Sequence, residues 1–246
     1  MEWDPAKYTE FADDRNRPFF DLTQRIRADR PRTVVDMGCG PGNLTAALAE
    51  RWPSASVVGL DASPRMVGAA RGAHRGANLA FRRLEATGWT PGSDVDLLVS
   101  NAMLQWVPDH MDVLAGWLDA LERGAWFAAQ VPGNFDAPSH RIMRDLAASP
   151  GWSGMLGGVL RGPDTVAEPS EYLRILLRNG FIADVWETTY QQVLPGQDPV
   201  LEWVRGTALR PVLAALDDDA ASDFQCEYGR LVRAAYPAFP IRAAGP

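Results

Sequence analysis

Only two cysteines, Cys39 and Cys226, occur in 246 residues, and they lie far apart. Neither a disulfide framework nor a cysteine zinc site can be assembled from them, so a reducing, cytoplasmic setting is expected. Histidine is nearly as scarce, with three residues, and no Ser-His-Asp, Cys-His or metal-ligand constellation stands out. No run of about 18 apolar residues occurs, and the opening Met1-Glu2-Trp3-Asp4-Pro5 lacks a basic region followed by an apolar core; neither a membrane span nor secretion is expected. Positive charge is also short. With 24 Lys plus Arg against 31 Asp plus Glu, the formal net charge is −7 and the pI is near 5.0. Nucleic acid and anionic membranes call for a basic footprint, so neither is an expected partner.

Hydrophobic residues make up 46% of the chain, enough for a substantial core in one domain, or in one domain carrying an insertion. From Arg32 to about Val131, short β-branched runs alternate with amphipathic segments, the pattern of an open, doubly wound α/β sheet. Strands are expected at Thr33–Met37, Ser56–Asp61, Leu79–Leu84, Asp96–Ser100 and Trp126–Val131. A further strand is expected at Ala183–Tyr190, after the helix stop Asn179-Gly180. After Pro132 the composition shifts toward Gly, Pro and Ser. Helical patterns near Ser139–Ala148 and Ser170–Arg178, separated by the glycine-rich Gly151–Gly162, read as an insertion. Helices resume around Asp198–Thr207 and Asp219–Ala235.

The first strand breaks into Gly38-Cys39-Gly40-Pro41-Gly42-Asn43 before a helix. Alternate glycines let the backbone approach a ligand closely, and the helix that follows offers free N–H groups and a positive dipole end. The dinucleotide fingerprint G-x-G-x-x-G/A does not fit in either register, because its last position falls on Asn43 or on Thr45. What stands is Asp-x-Gly-x-Gly-x-Gly with Asp36 ahead of the glycines. A carboxylate there repels a pyrophosphate but attracts an ammonium or sulfonium, directly or through water. Asp61, 23 residues after Gly38 at the end of the next strand, is placed to accept both hydrogen bonds of a ribose diol. Glu85 and Asn101 end the third and fourth strands on the same carboxyl edge. Each has a plainer reading: a tight strand-to-helix turn for the glycines, a helix cap before Ser63-Pro64 for Asp61.

Three segments, Val34–Asn43, Gly59-Leu60-Asp61-Ala62-Ser63-Pro64-Arg65-Met66 and Asn101-Ala102-Met103-Leu104-Gln105-Trp106-Val107-Pro108, resemble the class I S-adenosylmethionine-dependent methyltransferases. Trp3-Asp4-Pro5, Tyr8, Phe11, Arg15, Arg17-Pro18, Gln105–His110, Pro132–Phe135, Ser139-His140 and Trp186–Tyr190 extend this resemblance to the trans-aconitate 2-methyltransferases over nearly the whole chain. It implies a Rossmann-like, mostly parallel sheet with helical substrate-cap insertions, S-adenosyl-L-methionine as cofactor and S-adenosyl-L-homocysteine as product. It also implies a small carboxylic acid, trans-aconitate, as methyl acceptor. By the same resemblance Asp36, Gly38, Cys39, Gly40 and Asn43 frame the methionine moiety, Asp61 and Ala62 hold the ribose, and Glu85 and Ala86 flank the adenine. Asn101, Ala102 and Trp106 sit beside the sulfonium. The N-terminal segment with Tyr8, Phe11 and Arg15 either closes over the cofactor or packs as an ordinary amphipathic helix.

Methyl transfer is an in-line displacement, and a carboxylate nucleophile is already ionised at pH 7, so no catalytic base is expected. A tricarboxylate needs positive charge and directed donors, for which the candidates are His140, Arg144, Tyr190 and Arg210. His140 and Arg144 are four apart on one helix face. Other features read as bland: Asp217-Asp218-Asp219 as a helix N-terminus, Arg71, Arg75, Arg82 and Arg83 as a charged face, Trp117 and Trp126 as core, Cys39 as packing. The expected organisation is a helical lid over 1–30, a cofactor-binding core over 31–132, a cap insertion and helix over 133–182, and a last core strand, helical cap and tail over 183–246. A monomer is expected. Relatives end in an antiparallel strand, whereas 236–246 here carries no such run, so a missing or incomplete seventh strand is expected. Other readings of the same residues are a methyltransferase for a different small acid, phenol or amine, a non-catalytic cofactor-binding module, and a nicotinamide-dependent dehydrogenase, which Asp36 and Asn43 disfavour.

Overall fold

The computed structural model describes residues 12–162 and 165–238. Five strands form one parallel sheet: β1 (Thr33–Met37), β2 (Ser56–Asp61), β3 (Leu79–Arg83), β4 (Val95–Asn101) and β5 (Trp126–Gln130), in the order β3-β2-β1-β4-β5. The chain moves outward from β1 through β2 to β3, then returns to the other side of β1 for β4 and β5. The order therefore reverses between β1 and β4, and in an open parallel sheet a ligand crevice opens beyond the carboxyl ends at that point. Register is set by β-branched runs: Val34 pairs with Val57 and Leu97, and Val35 with Val58 and Leu98.

Both sheet faces are covered, as parallel sheets require. On one face, Val34, Val57, Leu97, Val99 and Ala128 meet Phe19 and Leu22 of α1 (Ala12–Thr23) and Leu48 and Ala49 of α2 (Asn43–Arg51). Helix α3 (Pro64–Ala73) adds Val67 and Ala70 against Phe81 and Cys39. On the other face, Val35, Met37, Leu60 and Leu98 meet Trp117 of α4 (His110–Ala120) and Leu121 just beyond it. The helix ends are satisfied locally. Ser63 caps α3 by accepting from Met66 N–H, with Pro64 in the first turn. Arg51 donates to the carbonyls of Thr23 and Ile26 at the end of α1.

The chain divides into two compact units, one running up to Pro132 and including Thr165–Tyr190, the other containing Gly133–Asp164 and Gln191 onward. The second unit is helical: α5 (Pro138–Ala147), α6 (Ser153–Leu156), α8 (Pro199–Arg205), α9 (Arg210–Ala215) and α10 (Asp218–Ala235), whereas α7 (Pro169–Arg178) belongs to the sheet unit. Its core is a stripe of α10, Phe224, Tyr228 and Val232 at four-residue spacing, packed with Met143, Leu146, Leu201 and Val212. Asp217 caps α10 by accepting from Ala220 N–H.

Three features depart from expectation. Ala183–Tyr190 forms no strand. Its half-buried residues are held by side-chain packing instead: Arg25 stacks over Trp186 at 4.0 Å and pairs with Asp184 at 3.0 Å, while Tyr190 donates to Asp21 at 2.8 Å. Trp126, expected in the core, opens the edge strand β5 and is 37% exposed. Arg210-Pro211, which the proline suggests as a turn, begins α9, where proline's missing N–H is tolerated. Tyr236–Ala238 are not in a strand, and the rest of the expected strandless tail lies outside the described residues.

Candidate active site

The turn after β1 is wired into the end of β2. The N–H groups of Gly38 and Cys39 both donate to Leu60 C=O, at 2.7 and 3.0 Å, and Gly40 N–H donates to Asp61 Oδ2 at 2.9 Å. Asp61 Oδ1 accepts from Ser63 N–H at 2.8 Å. The amides of residues 38–40 are thus committed inward, to the end of β2. Asp61 carries one bond on each oxygen and keeps lone pairs for a ligand, being half-buried. Burial pushes its carboxyl above the usual range, with Glu85 adding to this and the two backbone N–H bonds opposing it.

Glycine is required at Gly38 for two reasons. Its φ is +83°, and a Cβ there would lie 2.3 Å from Met103 Cγ. Gly40 differs: its φ is +54°, but a Cβ would meet nothing within 4 Å among the described residues, so the backbone here borders space that they leave open. That space, next to the Asp61 carboxylate, is where a ligand can approach the main chain.

Asp36 lies beneath the turn rather than on its surface. It is 2% exposed, and Thr45 Oγ1 of α2 donates to its Oδ2 at 2.6 Å. Burial lifts its carboxyl from 3.8 to about 6; the Thr45 bond opposes the rise and the Asp61 charge adds to it. Cys39 faces inward among Val67, Ala70 and Phe81, and burial first, then the neighbouring carboxylates, holds its thiol neutral. Asn43 opens α2.

On the far side of the crevice, β4 ends at Asn101, whose Oδ1 is buried and has no hydrogen-bond partner among the described residues. Ala102 follows with φ +50°, a left-handed conformation that costs a non-glycine residue roughly 1–2 kcal/mol. It is held there from both ends, its N–H donating to Gln130 C=O at 2.9 Å and its C=O accepting from Gln105 Nε2 at 2.6 Å. A second left-handed residue, Asp109 at φ +49°, closes the same loop beyond the short turn Leu104–Trp106. Such outliers cluster where structure is constrained for function. Glu85 is exposed at the exit of β3, with Ala86 half-buried beside it, and Ala62 is exposed after Asp61. Tyr8, Phe11 and the Arg15 side chain lie outside the described residues.

Of the four acid-binding candidates, the structure brings His140 and Arg144 together on α5. Arg144 donates through Nη1 to Phe135 C=O at 2.7 Å and approaches Asp136 at 3.6 Å. Burial, with Arg144's charge second, lowers His140 to about 4, so its ring is neutral at pH 7. Ser139 Oγ lies 3.3 Å from His140 Nδ1. Arg210 belongs to the same unit, at the start of α9. Tyr190 belongs to the sheet unit, where it is bonded to Asp21 with Arg17 4.9 Å above its ring.

The pair His110 and Tyr172, Nε2 to Oη at 2.7 Å with stacked rings, was not anticipated. Burial lowers the His110 pKa. Pro108-Asp109 ahead of the apolar spacing Leu114, Trp117, Leu118, Leu121 was the available signal for α4 and for His110 at its start.

The Asn101 oxygen without a donor, the open space at Gly40 and the Asp61 lone pairs are what a ligand carrying hydroxyl and amino donors would satisfy. Residues 34–124 match the methyltransferase domain family. The chain is 55% identical to a trans-aconitate 2-methyltransferase of Streptomyces coelicolor, over 98% of this chain and 84% of that one. It is 52% identical to the enzyme of the same name from Rhodococcus jostii, over 97% and 92%. A phosphoethanolamine N-methyltransferase 2 of Haemonchus contortus, solved with S-adenosyl-L-methionine, superposes with a TM-score of 0.53 at 16% identity, over 89% of this chain and 49% of that one, a likeness of fold. With an Asp-x-Gly-x-Gly-x-Gly turn facing Asp61 across a doubly wound sheet, and near-full-length identity at this level, the chain belongs to the trans-aconitate 2-methyltransferase family of class I S-adenosylmethionine-dependent methyltransferases.

Proposed function

We propose that this protein transfers a methyl group from S-adenosylmethionine to one carboxylate of trans-aconitate, giving a monomethyl ester and S-adenosylhomocysteine, and that it does so in the cytoplasm as a monomer. The observation that carries this reading is the 55% identity over 98% of the chain to a curated enzyme of that name. When bound, the cofactor supplies an electrophilic methyl group on a sulfonium. Asp61 takes the ribose diol with the lone pairs left by Gly40 and Ser63 N–H. Gly40 lets the methionine end lie against the backbone, and Gly38, Cys39 and Asn43 shape the turn around it. Asp36, ionised under that turn, holds a negative potential suited to a cationic amino-acid end. Asn101 Oδ1, without a donor among the described residues, accepts one from the ligand, and Ala102 and Trp106 wall the same side. Glu85, Ala86 and Ala62 border the adenosine.

The acceptor carboxylate is ionised at neutral pH, so attack needs alignment and water exclusion rather than a base. In this reading Arg144, His140 and Arg210 supply donors to the acid's carboxylates. Arg144 bonds Phe135 C=O through Nη1 and pairs with Asp136 through Nη2, and of its five N–H donors the one on Nε remains to turn toward a carboxylate; neutral His140 contributes a hydrogen bond rather than charge. Tyr190, tied to Asp21, enters as a further donor only if it exchanges that partner. The test is mass spectrometry of trans-aconitate incubated with protein and S-adenosylmethionine. A mass gain of one methyl group on the acid, dependent on both, supports the reading; transfer to other acids but not to trans-aconitate refutes the substrate.

A further inference from the structure

Asp36 sits where its charge is useful and expensive to keep. No amide of the glycine turn at 38–40 reaches it, since those three N–H groups are committed to Leu60 and Asp61. What reaches it is Thr45, the third residue of α2, itself fully buried, with Oγ1 2.6 Å from Asp36 Oδ2. A helical threonine commonly bonds a carbonyl of the preceding turn; this hydroxyl instead crosses back over the glycine turn to the strand. The other groups facing Asp36 drive it toward neutrality: the enclosing apolar wall and the Asp61 carboxylate at the end of β2, itself felt by Glu85. The Cys39 thiol in the turn is neutral and offers no counter-charge.

We propose that Thr45 is a positioning residue for methyl transfer: its donated hydroxyl keeps Asp36 ionised and fixed under the turn, and so maintains the negative potential that recognises the cationic end of the cofactor. This rests on the proposed function, in which the crevice holds a sulfonium-bearing amino acid. The residue is outside the glycine motif and does not line the crevice; it acts through Asp36 alone. Thr45→Val removes the hydroxyl while keeping the shape, and Thr45→Ser keeps the hydroxyl while losing a methyl. Thr45→Ala stands in for the valine variant if that one folds poorly by circular dichroism.

The first readout needs no ligand. In a carbon-13 titration of the ligand-free protein, with the Asp36 signal assigned by its loss in Asp36→Asn, the midpoint rises by at least one pH unit in Thr45→Val and returns to the wild-type value in Thr45→Ser. The second is calorimetric affinity for S-adenosylmethionine against pH. Thr45→Val binds at least tenfold more weakly at pH 7, recovers toward wild type by pH 9, and leaves the KM for trans-aconitate unchanged. An unmoved Asp36 midpoint overturns the proposal, and so does a moved midpoint with unchanged cofactor affinity. A wild-type protein that binds no S-adenosylmethionine overturns the proposed function, while the titration still judges the Thr45–Asp36 link.

Discussion

Replacing Asp36 with asparagine should stabilise the ligand-free fold while weakening cofactor binding. The carboxyl rises from 3.8 to about 6 on folding, chiefly through burial. A group whose folded pKa is raised binds its proton more tightly in the native state, so native stability falls as pH climbs through the interval between the two values. Below about pH 4 both states are protonated and nothing is lost; above about pH 6 the full penalty stands. At 1.36 kcal/mol per pH unit it amounts to about 3 kcal/mol. Asparagine is isosteric, still accepts from Thr45 and carries no charge, so it removes the penalty. A new amide NH2 without an acceptor would return roughly 1 kcal/mol of the gain. The net expectation is about 2–3 kcal/mol of stabilisation at pH 8 and near zero or slightly negative at pH 4. With a urea m-value of about 3 kcal/mol per molar, the midpoint at pH 8 moves up by about 0.7–1 M. Urea melts of both proteins from pH 4 to 8 test this, and the pH dependence of the difference isolates Asp36 from the other carboxylates. An Asp36→Asn protein that is less stable at pH 8, or a difference that does not change with pH, would refute the burial argument.

Three further outcomes follow from the same geometry. Gly38→Ala places a Cβ 2.3 Å from Met103 Cγ at φ +83° and should destabilise by more than about 2 kcal/mol, whereas Gly40→Ala meets nothing and should lose about 1 kcal/mol through its left-handed backbone while weakening S-adenosylmethionine at least tenfold; thermal melts and calorimetry separate the two. His140, lowered to about 4 by burial, stays neutral in the fold while the unfolded chain protonates near 6.5, so stability is lost as pH falls between those values; His140→Phe should flatten that limb of a pH–Tm profile. Arg144→Lys breaks the guanidinium bond to Phe135 C=O and should raise the KM for trans-aconitate at least tenfold with kcat changed only a few-fold; steady-state kinetics that leave KM intact would remove Arg144 from the acid site.

The sheet was legible because its signals are local. Val34-Val35, Val57-Val58 and Leu97-Leu98-Val99 are buried runs flanked by turns, and all five strands fall within a residue of their expected bounds. Ala183–Tyr190 is also rich in β-branched and aromatic residues and forms no strand, because strand composition does not by itself supply a hydrogen-bonding partner. Arg25, Asp21 and Arg17 supply side-chain partners at long sequence separation instead, and no local pattern announces them.

The site divides along the same line. Glycines and strand-end carboxylates were readable because φ above zero and close approach restrict residue type. Which groups are already spent was not, because Gly38, Cys39 and Gly40 commit their amides across the sheet to β2 and Asp36 is covered by a residue of the next helix. These commitments bear on ligand choice. A turn whose first three N–H groups are used internally, over a buried carboxylate, leaves a pyrophosphate the opening N–H groups of α2 but is electrostatically set against one. A cation, by contrast, needs only that charge and nearby carbonyl oxygens. The preference for a cationic amino-acid ligand over a dinucleotide therefore follows more firmly from the hydrogen bonds than from the glycine spacing, since relaxing the turn to free its amides would also release Asp61 from Gly40 and disturb the acceptor placed for the ribose.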